Sequence, residues 1–89
     1  MVIIEAETKQ ELQGKLVSLL TDIASGFSAK ELMEDPVSLV LEYKVTKNGI
    51  DIWSNTLILN IRDELTFGGV VNMIYKKVTA ECSRFGDDL

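Results

Sequence analysis

The segment Thr66–Gly69, Thr-Phe-Gly-Gly, has the residue types closest to a ligand site, and it opens the last stretch of helical apolar spacing. Paired glycines at a helix start can expose backbone N–H groups to a phosphate, and a threonine there can cap the helix. However, Asp63 and Glu64 would repel a phosphate at close range, and no lysine stands where a P-loop has one. We therefore expect the glycines to allow a tight strand-to-helix corner and close helix-to-sheet contact. The weak anion-site candidates are Thr66, Gly68 and Gly69.

Residues for acid–base or nucleophilic catalysis are scarce. The chain has no histidine, so it lacks the most common general base and the usual partner of a serine or cysteine nucleophile. Asp51, Asp63 and Glu64 are acids that could form a carboxylate pair, but acids at a strand end or ahead of a helix are usually solvated. We predict that the protein is not an enzyme. A small-ligand binder or enzyme that uses the Gly68-Gly69 turn is the third of three alternatives.

Cys82 is the single cysteine of the chain. An internal disulfide is therefore impossible, and one thiol without any histidine cannot complete a structural zinc site. Its spacing within the last apolar stripe predicts a small buried helix residue rather than a reactive thiol. We predict no metal and no cofactor.

Charge is distributed unevenly along the chain, whose net charge is −5. Residues 1–42 contain eight acids and three lysines, whereas the remaining residues contain six acids and six bases. No basic stripe of the kind that binds nucleic acid is present, so we expect no direct contact with DNA or RNA. The acidic first half instead allows an alternative function, in which residues 1–42 imitate a nucleic acid.

The length of 89 residues predicts a single domain over residues 1–89. The apolar runs are too short to span a bilayer. The first five residues contain neither the basic segment nor the small-residue cleavage site of a signal peptide. We therefore expect a cytoplasmic location and no membrane partner.

Two helix starts are marked by capping boxes in the first third of the chain. Thr8 and Glu11 open a helix predicted over residues 9–25, with Gly26 as a left-handed cap. Ser28 and Glu31 open a short helical turn that ends before Pro36. The apolar stripe of the first helix consists of Leu12, Leu16, Leu19, Leu20, Ile23 and Phe27.

A β-hairpin is predicted over residues 37–46 and 50–62. Apolar and polar residues alternate in the first strand, and Asn48-Gly49 is a strong turn signal. A two-residue turn requires a bulge near Ser54 to bring Leu57 inward. A three-residue turn with Gly49 left-handed requires no bulge, so we prefer it. It places Tyr43 opposite Trp53 and Leu39 opposite Leu57.

The predicted fold is α+β, with the order β-α-(short α)-β-β-α. A short strand over residues 2–5 joins the hairpin in a small antiparallel sheet, and helices 9–25 and 67–85 cover one face. This order is similar to that of small bacterial regulators of the DNA-damage response, whose acidic last helix mimics DNA. The last helix of this chain carries Lys76, Lys77 and Arg84 against Glu81, so it lacks that acidic surface. The apolar stripe predicted for it is Phe67, Val71, Ile74, Val78, Cys82 and Phe85.

An apolar surplus on the sheet is the most informative functional signal. If Trp53, Leu57 and Leu59 face the helices, the opposite face has no cover, and an apolar patch there indicates a protein partner. The partner-binding candidates are Val40, Ile50, Ile52 and Ile58. We predict a non-enzymatic protein–protein interaction module that binds itself as a homodimer, another protein, or both. The first alternative is an acidic, nucleic-acid-mimicking inhibitor or regulator.

Overall fold

A computed structural model describes residues 1–27, 37–61 and 66–89 of the chain. Three strands and two helices follow one another in the predicted α+β order. The predicted short helical turn that begins at Ser28 lies outside the described residues. The elements are β1 (Val2–Glu5), α1 (Lys9–Ser25), β2 (Val37–Lys47), β3 (Ile50–Ile61) and α2 (Phe67–Cys82).

The three strands form one mixed sheet in the order β1-β2-β3. β1 runs parallel to β2, with Val2 beside Tyr43, and β2 runs antiparallel to β3. The prediction of a wholly antiparallel sheet is therefore wrong for β1. The physical reason is the connection, because α1 carries the chain back along the sheet and β2 then starts in the same direction as β1.

The hairpin turn contains two residues, and the preferred three-residue turn is wrong. Asn48 and Gly49 both have positive φ, 53° and 77°. This geometry matches the twist of the flanking strands. A β-bulge at Ile52 then shifts the pairing from Thr46–Asp51 to Val45–Trp53. As a result, Tyr43 lies opposite Asn55 rather than Trp53, and Leu39 lies opposite Leu59 rather than Leu57.

Gly49→Ala is expected to destabilise the protein by about 1 kcal/mol, because alanine is strained at positive φ. Nothing lies within 4 Å of the added methyl group, so backbone strain is the only cost. Gly14→Ala is the matched control. It lies inside α1, also has no neighbour within 4 Å, and should stabilise by about 0.5–1 kcal/mol. Urea unfolding of both variants checks the pair, and a stabilised Gly49→Ala would contradict the turn geometry.

The core lies between the inner face of the sheet and the two helices. Each strand contributes alternate residues, as the sequence pattern predicts for a sheet with one buried face. The stripes of α1 and α2 close this core from one side. The most buried helix residues are Leu12, Leu16, Leu20 and Ala24 of α1 and Val70, Ile74, Val78 and Cys82 of α2.

The ends of the helices differ in part from their predictions. The Thr8 hydroxyl accepts the N–H of Glu11, as the predicted capping box requires, but the Glu11 carboxylate accepts the N–H of Glu7 rather than that of Thr8. Gly26 has a right-handed backbone with φ of −73°, so its assignment as a left-handed cap is wrong. α2 ends at Cys82 rather than at residue 85. Phe67 is exposed, because Val70 takes the core position in the first turn.

Candidate functional site

The outer face of the sheet carries two apolar residues side by side. Val40 of β2 and Ile58 of β3 lie directly opposite each other in the pairing. Val40 is 50% exposed and Ile58 is 48% exposed, since both helices pack on the other face. Two branched side chains in this relation stabilise each other, but half of each remains in water. This pair is the centre of the candidate interface.

The other two candidates, Ile50 and Ile52, are exposed at the hairpin end of β3. Two polar pairs separate them from Val40 and Ile58, because Glu42 lies opposite Thr56 and Lys44 opposite Ser54. Lys44 also forms an ion pair with Asp51 at 3.2 Å. On the outer face, Ile52 is therefore separate from Val40 and Ile58, while Ile50 lies opposite Lys47 on the other side of the bulge, so the expectation of one contiguous patch is wrong.

Ile3 is a further exposed apolar residue of the outer face that the sequence reasoning missed. It lies beside Lys44 in the parallel pairing of β1 with β2, while Ile4 is buried. The signal was available, since Val2-Ile3-Ile4-Glu5 must place alternate side chains on opposite faces. Ile3 extends the apolar character of the outer face to the third strand.

The free edge of β3 is the second notable feature of this surface. β3 has 12 residues, and within the described residues β2 is the only strand that pairs with it. Along its other side, alternate residues present backbone N–H and C=O groups that have no strand partner. Such an edge is a template for pairing with another chain.

A polar network occupies the inner face of the sheet near the hairpin end. The Tyr43 hydroxyl donates to Glu81 Oε1 at 2.7 Å and accepts the Trp53 indole N–H at 3.0 Å. The Asn55 amide donates to the same Glu81 oxygen. Tyr43 and Trp53 are therefore diagonal neighbours rather than a directly opposed pair. This network ties the last turn of α2 to β2 and β3.

The network also determines the protonation of its members. Burial and the hydrogen bond to Glu81 raise the pKa of the Tyr43 hydroxyl, so this group stays protonated and donates. Burial alone would raise the pKa of Glu81, but the hydrogen bonds from Tyr43 and Asn55 outweigh it and lower the pKa. A carboxylate with a lowered pKa is a weak proton acceptor near neutral pH, so Glu81 is poorly suited to general-base work.

Two residues after α2 pack on the indole of Trp53. The Phe85 ring meets it edge-on, with the ring centroids 5.9 Å apart, and the Arg84 guanidinium lies 5.3 Å from its centroid. Both contacts hold the residues that follow α2 against β3. Cys82 is buried, as predicted, and burial raises the pKa of its thiol to about 11, which disfavours the thiolate at neutral pH.

The glycine pair at the start of α2 is positioned by its cap. The Thr66 hydroxyl accepts the N–H of Gly69 at 3.1 Å, so the threonine oxygen uses one of the amides that an anion would need. Gly68 is exposed, and an added Cβ would meet only the Thr66 hydroxyl at 3.9 Å. Among the described residues, the expected close helix-to-sheet contact is therefore absent at Gly68, while the expected tight corner involves residues 62–65, which lie outside the described ranges. Asp63 and Glu64 lie outside the described residues.

Surface grooves on the described part of the chain are shallow. The groove between β1 and α1 has a volume of about 300 Å³, and the Lys15 ammonium donates to the Glu5 carbonyl beside it. Within residues 1–27, 37–61 and 66–89, no three cysteine, histidine or acidic residues converge in a way that could hold a metal ion. Neither α1 nor α2 is both long and apolar enough to cross a membrane.

Comparison with known protein families, characterised proteins and solved structures finds no significant match to this chain. The geometry and chemistry of the chain's own surface therefore carry the information about its function.

Proposed function

We propose that this chain is a non-enzymatic protein–protein interaction module that forms a homodimer through its sheet. The observation that supports this proposal is the exposed pair of Val40 and Ile58, together with Ile52, on the sheet face opposite the two described helices. Exposed apolar residues gathered on one face favour a protein contact, whereas isolated ones are ordinary. Ile50 lies opposite Lys47, on the side of β2 that also carries Tyr43 and Val45, so it is exposed at the hairpin end and not on this face.

The size of the domain gives a thermodynamic reason for association. A chain of 89 residues buries a smaller share of its surface on folding than a larger domain does, so its stability is limited. A partner that binds only the folded state increases that stability by mass action. A second copy of the chain is the simplest such partner, since two-fold dimers are the most common oligomers.

A cytoplasmic location is part of the proposal. The buried free thiol of Cys82 supports it, because proteins without disulfides are typical of reducing compartments. The expected partner is then a second copy of the chain or another protein, and we expect neither a nucleic acid nor a membrane as a partner.

The alternative of an acidic nucleic-acid mimic makes a different prediction about salt. Binding through apolar contacts tolerates high ionic strength. Binding of a partner to residues 1–42 by nucleic-acid mimicry should instead weaken steeply between low and high salt. On α1 the acids are interspersed with Lys9 and Lys15, and Glu11 is used as a cap, so no observation favours this alternative. A small-ligand role for the Gly68-Gly69 turn likewise has no supporting observation.

Ile58→Lys tests the proposal. Static light scattering of the wild type should give the mass of a dimer at high micromolar concentration. Ile58→Lys should raise the dissociation constant by about tenfold to a hundredfold, because the symmetry removes two apolar contacts and adds two charges. Circular dichroism should show both proteins folded, since residue 58 is exposed in the monomer.

Tyr75→Lys is the matched control for this experiment. Tyr75 is 59% exposed on α2, in the helical layer, and the same charge is introduced there. This variant should dimerise like the wild type. A wild type that remains monomeric at several hundred micromolar would overturn the homodimer.

A further inference from the structure

The free edge of β3 has the properties of an unprotected pairing site. Natural edge strands are usually short, or carry lysine or proline that prevents pairing. β1, the opposite edge, has four residues, whereas β3 has 12 and contains no lysine and no proline. Its single charged residue, Asp51, is already paired with Lys44. The bulge at Ile52 is confined to the hairpin end, and the pairing is regular from Trp53 to Ile61, so β3 is the edge that can accept a long partner strand.

We propose that two copies of this chain join edge to edge through antiparallel pairing of β3 with β3, which produces one continuous six-stranded sheet. This inference rests on the proposed homodimer and specifies its geometry. It differs from stacking of the two outer faces, in which Val40 and Ile58 would be covered from above.

Charge selects β3 over β1 for contact between identical chains. β1 and α1 belong to residues 1–42, which carry a net charge of −5, and bringing two such halves together would cause repulsion. β3 and α2 belong to residues 43–89, which have equal numbers of acids and bases. The neutral half of the chain can meet its own copy without this repulsion.

The pleat of the strands restricts the register. In a continuous sheet, outward residues must lie opposite outward residues, or each copy would turn its core face to water. Trp53, Leu57 and Leu59 face the helices, so their positions must pair among inward residues of the second copy. This condition places the two-fold axis at a residue and not between two residues.

Among the registers that remain, the one with Asn55 on the axis matches the exposed side chains best. It places Ile52 of each copy opposite Ile58 of the other, and Ser54 opposite Thr56. The two apolar sites that lie apart within one chain thereby become neighbours across the interface, each flanked by Val40. A shift of the axis to Thr56 would instead place Ile58 against Ser54 and leave both isoleucines without apolar partners.

The helical side of the sheet also accommodates this axis. Asn55 donates to Glu81, and Arg84 lies over Trp53, two residues from Asn55 on β3. Each copy therefore brings one acid and one base close to the axis. Because each copy contributes one charge of each sign, this pair adds no net charge to the interface on the helical side.

Disulfide trapping between two single-cysteine variants tests this register. Ile52→Cys and Ile58→Cys are mixed and oxidised gently, because both positions are exposed and tolerate cysteine without loss of the fold. The mixture should give a covalent dimer, since directly opposite Cβ atoms lie roughly 5 Å apart. Either variant by itself should give little covalent dimer, because the introduced cysteines of its two copies would be roughly 20 Å apart. Wild type, with only buried Cys82, is the background control.

The other outcomes identify different arrangements. A covalent dimer in a sample that contains only the Ile58→Cys variant would overturn the register. Trapping of Val40→Cys alone would show face-to-face stacking and overturn edge pairing, because Val40 lies one strand in from the edge. A dimer by light scattering without any trapped product in the mixture would also overturn the edge contact, while the homodimer itself would stand. A monomer by light scattering would overturn both proposals.

Discussion

Leu16→Ala is expected to lower the free energy of unfolding by about 2–5 kcal/mol. Leu16 is fully buried in the middle of the α1 stripe and belongs to the single core cluster. Its truncation removes apolar contacts and leaves a cavity that packed neighbours fill only in part. For a domain of this size the loss is a large fraction of the total stability, which is typically about 5–15 kcal/mol.

Urea unfolding measures this loss, and Leu19→Ala is the matched control. Leu19 is in the same helix but only half-buried at the edge of the core, so its truncation should cost much less. Equal losses for the two variants would contradict the orientation of α1. Since the proposed dimer requires folded chains, both variants should be compared at one protein concentration.

Tyr43→Phe is expected to cost about 1–3 kcal/mol, although it removes a single oxygen. The Tyr43 hydroxyl both accepts from Trp53 and donates to Glu81, so its loss leaves the partly buried Trp53 N–H without this acceptor and leaves Glu81 with Asn55 as its remaining donor in the network. Thermal or urea unfolding gives the magnitude. Tyr75→Phe is the control, since Tyr75 is exposed and should change stability by less than about 0.5 kcal/mol. Wild-type stability in Tyr43→Phe would show that the network is dispensable.

The same network predicts a pH dependence. The pKa of Glu81 is lower in the folded protein than in the unfolded chain, because hydrogen bonds from Tyr43 and Asn55 favour the carboxylate. The resulting stability is fully present above the unfolded pKa, about 4.3, and is lost as pH falls through the lower folded pKa. The difference in stability between wild type and Glu81→Gln should therefore shrink on acidification. A constant difference would mean that the charge of Glu81 contributes nothing.

Local signals in the sequence were sufficient for the secondary structure. The capping box at Thr8 and Glu11 predicted the start of α1, because its hydrogen bonds lie within one helical turn. The alternation in β2 predicted which side chains face the core. The exposure of Val40 and Ile58 followed from the same period of two. These properties depend on neighbours a few residues apart.

The sequence by itself therefore determined the α+β class, the order of the described elements and the buried face of β2. Tertiary structure decided the direction of β1, the bulge at Ile52, and the meeting of Tyr43 and Trp53 with Glu81. It also divided the predicted apolar patch in two. The physical reason is that helix caps and side-chain alternation are local, whereas register depends on the balance between turn geometry and core packing over the whole hairpin. A shift of the register by one residue changes every contact across the sheet.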